Sequence, residues 1–418
     1  MATTKTELLN NGVVVATKTA APFYSWDWTP ATSGASSLTY KRYEDNILVF
    51  TSGATTGTVE APVAANFPVW SATGDNGAAF LTALNSELPK TSPAPNNTIT
   101  EIATGDTTAS FFSGNLAPNG FIYMIPSDST YVLKVDPINN TTSQIGTGLP
   151  TTIRKYRGSG LATNNCIYGF NYDGGNILKV DTTTDIVTTI ATPAGKKCFG
   201  AVTANNGFIY TVPYFSDVII KFDPSTDTYT TITYAGTSSG TTYRNGVLAK
   251  NGMIYMFPYI DKGKVLRLDP STDLTTEIGT DYGTGTPKWN NGVLAPNGKI
   301  YCYAPSSLGI LEIDPDTDTT RIIAHALTTS GIMGALLPSG KLLISADAGT
   351  AGTTWKIFDP ADDSVVELGN SNLYASNIGS ILAENGNVYH IPTARNIQVF
   401  GSNSYTLPSD MVLSRHLN

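Results

Sequence analysis

The chain has 418 residues, of which 41% are hydrophobic and only 14% charged, with a net charge of −8 and a sequence pI near 4.9. This acid balance argues against general nucleic-acid binding, which needs a dense basic face. No apolar run is long enough to span a bilayer as a helix. Thr, Asn, Ser, Gly and Tyr take the places that charges usually fill, a composition that favours strands and turns over helices.

The first ten residues, MATTKTELLN, lack the apolar segment of a secretory signal, so none is expected. An outward-looking composition without a secretion signal is what a virion protein made in a host cytoplasm would show. Residues 1–58 read as a small β-module. Residues 6–9 and 13–17 form a hairpin around Asn10-Asn11-Gly12, residues 24–28 alternate aromatic and polar, and strands are expected at 38–42 and 47–51. Residues 59–96 read as a connector. A short helix is expected at 78–88, capped by Asp75 or Asn76 and ended by Pro89 and the run Thr91-Ser92-Pro93-Ala94-Pro95.

From residue 97 the dominant signal is self-similarity at the spacing of propeller blades. The clearest copy, residues 291–323, reads NGVLAPNGKIYCYAPSSLGILEIDPDTDTTRII. A small-residue strand is followed by a Pro-Asn-Gly turn and an apolar strand, then a third strand, an Asp-Pro turn and a Thr-rich fourth strand. Asn-Gly suits a hairpin because it accepts positive φ at low cost. In Asp-Pro, proline presets φ while the Asp side chain bonds the backbone N–H groups that follow.

The tyrosine of the second strand recurs at Tyr123, Tyr168, Tyr210, Tyr255, Tyr301 and Tyr389, with Leu343 in a weaker copy. The acid of the turn recurs at Asp136, Asp181, Asp223, Asp269, Asp314 and Asp359. These markers give seven copies. Misreading the 97–104 strand or the weak sixth copy would change the count to six or eight.

The seventh copy loses its Asp-Pro turn and fourth strand after Val399-Phe400, while a stray Thr-rich strand stands before the first copy at residues 97–104. The expected architecture is therefore all-β, a seven-bladed β-propeller over residues 97–405 closed by that strand, with a tail at 406–418. Closing the ring in this way removes an exposed edge. The alternative is closure by residues 404–407.

A search for chemistry finds little. None of His325, His390 and His416 pairs with a second ligand at metal spacing, and Cys166, Cys198 and Cys302 are far apart, so free thiols, no metal and no cofactor are expected. The Asp-Pro-x-Thr-Asp turns carry two acids each but lack the further oxygen ligands and the placed glycine of a calcium loop. Residues 236–240 match GxSxG without the strand-to-helix context of a nucleophile elbow. Ser345-Ala346-Asp347-Ala348-Gly349 begins like a sialidase aspartate box, but Gly352 stands where Trp belongs.

More promising are the loops leading into the first strands, which lie at the mouth of a propeller's channel. They carry Phe111-Phe112, Tyr156-Arg157, Lys197-Cys198, Tyr243-Arg244, Lys288-Trp289 and Tyr374. Aromatic faces beside hydrogen-bonding cations suit a sugar or a peptide, and Tyr156, Arg157, Tyr243, Arg244, Lys288 and Trp289 are the candidate ligand-binding residues. The competing reading is that these side chains plug the channel or pack between blades.

The pattern NGVVVAT…APFYSWDWTPATSG within residues 1–58 resembles bacterial and phage immunoglobulin-like modules. The NGxIYxxP…DPxTDT copies resemble a group of propellers found in phage and bacterial proteins. Together these resemblances imply a non-enzymatic bacteriophage virion protein, a capsid or tail decoration or fibre. Residues 1–58 would join other virion proteins, and the propeller would face a host glycan or surface protein. A homo-oligomer is compatible with this expectation, and neither nucleic acid nor membrane insertion is expected. The alternatives are a propeller lyase or hydrolase acting on a polysaccharide, with Asp347 and Glu384 as its carboxylates, or a bacterial surface adhesin.

Overall fold

The computed structural model describes five strands within residues 4–59 by their backbone. It also describes residues 98–401 apart from 107–109, 174, 193–195, 235–239, 305–307, 325–330, 338, 347–354, 369–378 and 393–395. The chain divides into two units, the first containing residues 1–95 and the second 96–402.

In the first unit, Thr4–Asn10 pairs antiparallel with Val13–Lys18, the hairpin expected around Asn10-Asn11-Gly12. It also pairs with Gly34–Glu44, which in turn pairs with Ile47–Thr51 and Thr55–Val59. These strands make one five-stranded sheet. The second sheet of an immunoglobulin sandwich is not among the described residues, and the alternating segment 24–28 and the expected 78–88 helix lie outside them.

The second unit is a propeller of seven four-stranded antiparallel blades. Blades 1 to 6 span residues 111–145, 156–191, 197–233, 243–278, 291–323 and 331–367. Blade 7 takes Ser380–Leu382, Asn387–His390 and Ile397–Gly401 from the end of the chain and its outer strand, Thr98–Ile102, from the beginning. The closing pairs run Ile397↔Ile102 through Gly401↔Thr98, so the ring closes with the 97–104 strand and not with residues 404–407. First strands of neighbouring blades contact one another around the whole ring, seventh to first included, and so line the central channel.

Hydrophobic burial follows from this stacking. Second strands are covered on both faces by the adjacent blades, so Ile-Tyr-Met-Ile-Pro of blade 1 is buried at every position. Outer strands have one wet face, and Thr141–Ile145 is exposed or half-buried throughout. Seven apolar cores result, each shared by consecutive blades. Tyr123 and Ile125 of blade 1, for example, pack with Ile167 and Leu178 of blade 2, and Phe111 of blade 1 packs with Tyr389 and Ile397 of blade 7. The first strands are built from small residues because they converge. A Cβ on Gly158 would lie 2.5 Å from the backbone of Gly200, whose own φ of +118° few other residues adopt.

The repeat motif is a polar lock between blades. Asn164, in the first turn of blade 2, donates to the carbonyl of Pro224 in blade 3 at 2.8 Å and to Tyr168 Oη at 3.1 Å. Tyr168 Oη donates to Asp227 Oδ1 at 2.8 Å, and Lys179 Nζ reaches Asp227 Oδ2. Asp227 sits at φ +55°, a left-handed position that Asp and Asn tolerate best among side-chain-bearing residues.

Asn119–Tyr123–Asp185 and Asn251–Tyr255–Asp318 repeat the lock, and Asn385–Tyr389–Asn140 repeats it across the closing seam. Blade 5 carries Glu312 where blades 1 to 4 have Lys or Arg, and there Arg321 bridges Glu312 to Asp363. The first acid of each turn caps its own backbone, as where Asp136 Oδ1 accepts the Ile138 N–H at 2.9 Å.

Candidate functional site

In blades 2 and 4 the first residue of the inner strand and the residue after it have opposite fates. Tyr156, Tyr243 and Trp289 are at most 1% exposed and belong to three different interblade cores. Burial pushes the Tyr156 hydroxyl up to about 12. Tyr243 Oη donates to Glu277 at 3.2 Å, and Trp289 Nε1 donates to the Gly309 carbonyl at 3.3 Å. Lys288 is fully buried, and its ammonium is held by the Tyr259 carbonyl at 2.8 Å. Burial lowers its pKa, although Asp281 and Asp261 oppose this. Four of the six candidate residues are therefore buried: Tyr156, Tyr243 and Trp289 in the cores between blades, and Lys288 against backbone carbonyls.

Arg157 and Arg244 are different. In blade 2, Tyr156 pairs with Asn171 and Gly158 with Phe170, leaving Arg157 as the extra residue of a β-bulge. The same irregularity leaves Phe112 extra in blade 1, and bulges occur at this level in blades 3 and 4. A bulge re-aims the side chain it carries. A belt of side chains lies at one end of the channel strands: the unpaired Phe112, Arg157 and Phe199 of blades 1 to 3, Arg244 of blade 4, which pairs with Phe257 beside the unpaired Asn245, and Asn290 just before the first strand of blade 5.

The belt is stacked. The Arg157 guanidinium lies 4.3 Å from the Phe112 ring centre, 4.5 Å from Tyr172 and 5.3 Å from Phe199. The Arg244 guanidinium lies 4.0 Å from Phe199 and 4.1 Å from Tyr259. Tyr172, Phe199, Tyr214 and Tyr259 form one buried aromatic cluster with Phe112 and Ile260 at its margin.

Both Nε atoms are buried without a hydrogen-bond partner. Arg244 Nη1 donates to Asn290 Oδ1 at 2.6 Å. No hydrogen bond or ion pair reaches Arg157 from the described residues, while neighbouring Arg154 and Lys197 share Asp173. Burial lowers the Arg157 pKa. Tyr172 raises it, whereas the charges of Arg244 and Arg154 lower it further.

Three tyrosines of this cluster escaped the sequence reading. They carry a legible signal, since Tyr172, Tyr214 and Tyr259 each stand four residues after a marker tyrosine, Tyr168, Tyr210 or Tyr255. Phe199 was missed because the pair Lys197-Cys198 is one residue out of step, Cys198 being the buried equivalent of Tyr156. Phe111 is core, and Tyr374 lies outside the described residues. Asp347 lies outside them, and Glu384 stands in the first hairpin turn of blade 7, at the other end of the channel strands. Among the described residues no three His, Cys, Asp or Glu side chains cluster as a metal site.

His390 lies in the second strand of blade 7, fully buried against Trp355 at 4.1 Å, with Nδ1 3.0 Å from Ser380 Oγ. Burial pulls its pKa down to about 3, so it stays neutral inside the blade.

No family model matches the chain, and no curated protein matches it. Solved structures match the ring. Virginiamycin B lyase from Staphylococcus aureus, bound to quinupristin, superposes with a TM-score of 0.62 at 10% identity, covering 73% of this chain and 99% of that one. A streptogramin B lyase gives 0.60 at 11% identity, covering 73% of this chain and 98% of the other. An extracellular domain assigned to a hybrid two-component system of B. thetaiotaomicron gives 0.55 at 13%, covering 73% of this chain and 40% of that one. At such identities the likeness establishes the fold, a seven-bladed β-propeller, and carries no activity with it.

Proposed function

We propose that the propeller is a non-catalytic recognition head, displayed on a bacteriophage particle through residues 1–58 and binding a host-surface glycan or protein at the arginine-bearing end of its channel. The observation that carries this reading is the Phe112–Arg157–Phe199–Arg244–Tyr259 stack. It places cations with unused hydrogen-bonding capacity on a rigid ring. The repeated Asn–Tyr–Asp locks hold the blades, so residues at the loop ends vary without disturbing the cores. Several copies on one particle would strengthen weak single contacts by avidity.

A second reading is a polysaccharide lyase or hydrolase, which needs an acid and a base converging on the channel. A bacterial surface adhesin is the third reading. The test is an array of bacterial surface polysaccharides probed with labelled full-length protein, followed by chain-length analysis of whatever is bound. A recognition head retains a polysaccharide and leaves its length unchanged. Shortening of the bound polymer overturns the non-catalytic reading.

A further inference from the structure

We infer that the Arg157–Arg244 pair is an oxyanion site, and that the ligand of the recognition head is an acidic glycan held through its carboxylate or sulfate groups. This deepens the recognition reading and rests on it.

Two guanidinium groups in contact with the same Phe199 ring repel one another, and desolvation makes such a pair unfavourable unless something compensates it. Elsewhere in the ring cations are compensated. Lys134, Lys179 and Lys221 pair with Asp185, Asp227 and Asp273, and Arg321 pairs with Glu312 and Asp363. At the channel mouth, Asp173 is occupied by Arg154 and Lys197. Among the described residues Arg157 and Arg244 have no acidic partner, in a chain whose net charge is −8.

What holds them is aromatic packing on both sides, and apart from the Arg244 Nη1–Asn290 bond their guanidinium donors remain for a ligand. A planar fork with free N–H donors matches a carboxylate or sulfate in bidentate geometry. The rings themselves are largely buried, with Phe199 2% and Tyr214 7% exposed. They serve to orient the arginines more than to stack a neutral sugar, and this favours charge as the recognised feature.

The experiment is titration calorimetry of the full-length protein with an oligosaccharide of alternating glucuronic acid units. It is repeated with the same oligosaccharide after chemical reduction of its carboxylates, and with sodium sulfate alone. The expected result is binding of the acidic oligosaccharide at least tenfold tighter than the reduced one, with sulfate competing only weakly. Arg157→Gln and Arg244→Gln should each weaken acidic-oligosaccharide binding about tenfold or more. Comparison of the two native-protein titrations stands even if either variant fails to fold. Equal binding of both oligosaccharides overturns the oxyanion site and leaves the recognition head intact. Sulfate binding as tightly as the oligosaccharide makes this a free-anion site and overturns the glycan assignment. Absence of binding to every polysaccharide on the array overturns the recognition reading itself.

Discussion

Tyr168 of blade 2 donates a 2.8 Å hydrogen bond to Asp227 of blade 3, at the edge of the apolar core that the two blades share. The same Asp receives Lys179 and stands at a left-handed φ. The marker tyrosine of one blade thus bonds the second acid of the next blade's turn, four residues after the marker Asp223.

Tyr168→Phe should destabilise the propeller by about 1.5–3 kcal/mol, the value of a hydrogen bond to a charged acceptor. Asp227→Ala should cost more, since it also strands Lys179 and places alanine at positive φ. Asp227→Asn should be mildest, because Asn140 holds the equivalent position at the closing seam. Equilibrium unfolding in urea checks this order, and equal losses for Ala and Asn would show that the left-handed backbone contributes nothing.

Closure of the ring by residues 98–102 predicts a contrast within that strand. Ile102 is buried against the core shared by blades 7 and 1, whereas Thr100 is exposed. Ile102→Asp should cost about 3 kcal/mol or more by burying an unpaired charge, while Thr100→Asp should stay within about 0.5 kcal/mol. Limited proteolysis should detect opening of the seam in the first variant alone.

All three cysteines are buried free thiols. Burial pushes Cys198 up to about 12 and raises Cys166 and Cys302 as well. Native protein should therefore resist a thiol-exchange reagent such as DTNB at pH 8, while denatured protein releases three equivalents. Fast native labelling would contradict the burial of all three.

His390 gives stability a pH dependence of known sign. Its folded pKa, about 3, lies below its ordinary value of 6.5. Between these values the unfolded chain binds the extra proton, so stability is full above pH 6.5 and falls as pH drops through the window. The slope is at most about 1.4 kcal/mol per pH unit. The turn acids Asp136, Asp223 and Asp269 have carboxyl groups held below their ordinary 3.8, so their contribution is lost only at lower pH. His390→Leu should flatten the profile between pH 6.5 and 4 and leave the steeper loss below pH 4. An unchanged upper slope would mean that His390 is not the group responsible.

The ring was legible because its markers are geometric necessities. Asn119 and Gly120 make a turn, Asp136-Pro137 makes another, and the residue left over at each chain end identifies the closing strand. The site was only partly legible. Which of Tyr156 and Arg157 faces the channel depends on a bulge that adds one residue to a strand, and nothing in the pair itself announces it. Lys288 resembled a channel cation, yet its ammonium folds back onto backbone carbonyls. The tyrosines Tyr172, Tyr214 and Tyr259 lie at or just past the ends of second strands, and it is the placement of the inner strands that brings them beside the arginines.

The most direct test of a displayed recognition head is electron cryo-microscopy of phage particles from a lysate that contains this protein. A display head requires density for residues 1–58 docked on the capsid or tail, with the propeller projecting outward and the Arg157–Arg244 end free of particle contacts. Particles lacking the protein, with the chain free in the lysate, would contradict the virion assignment.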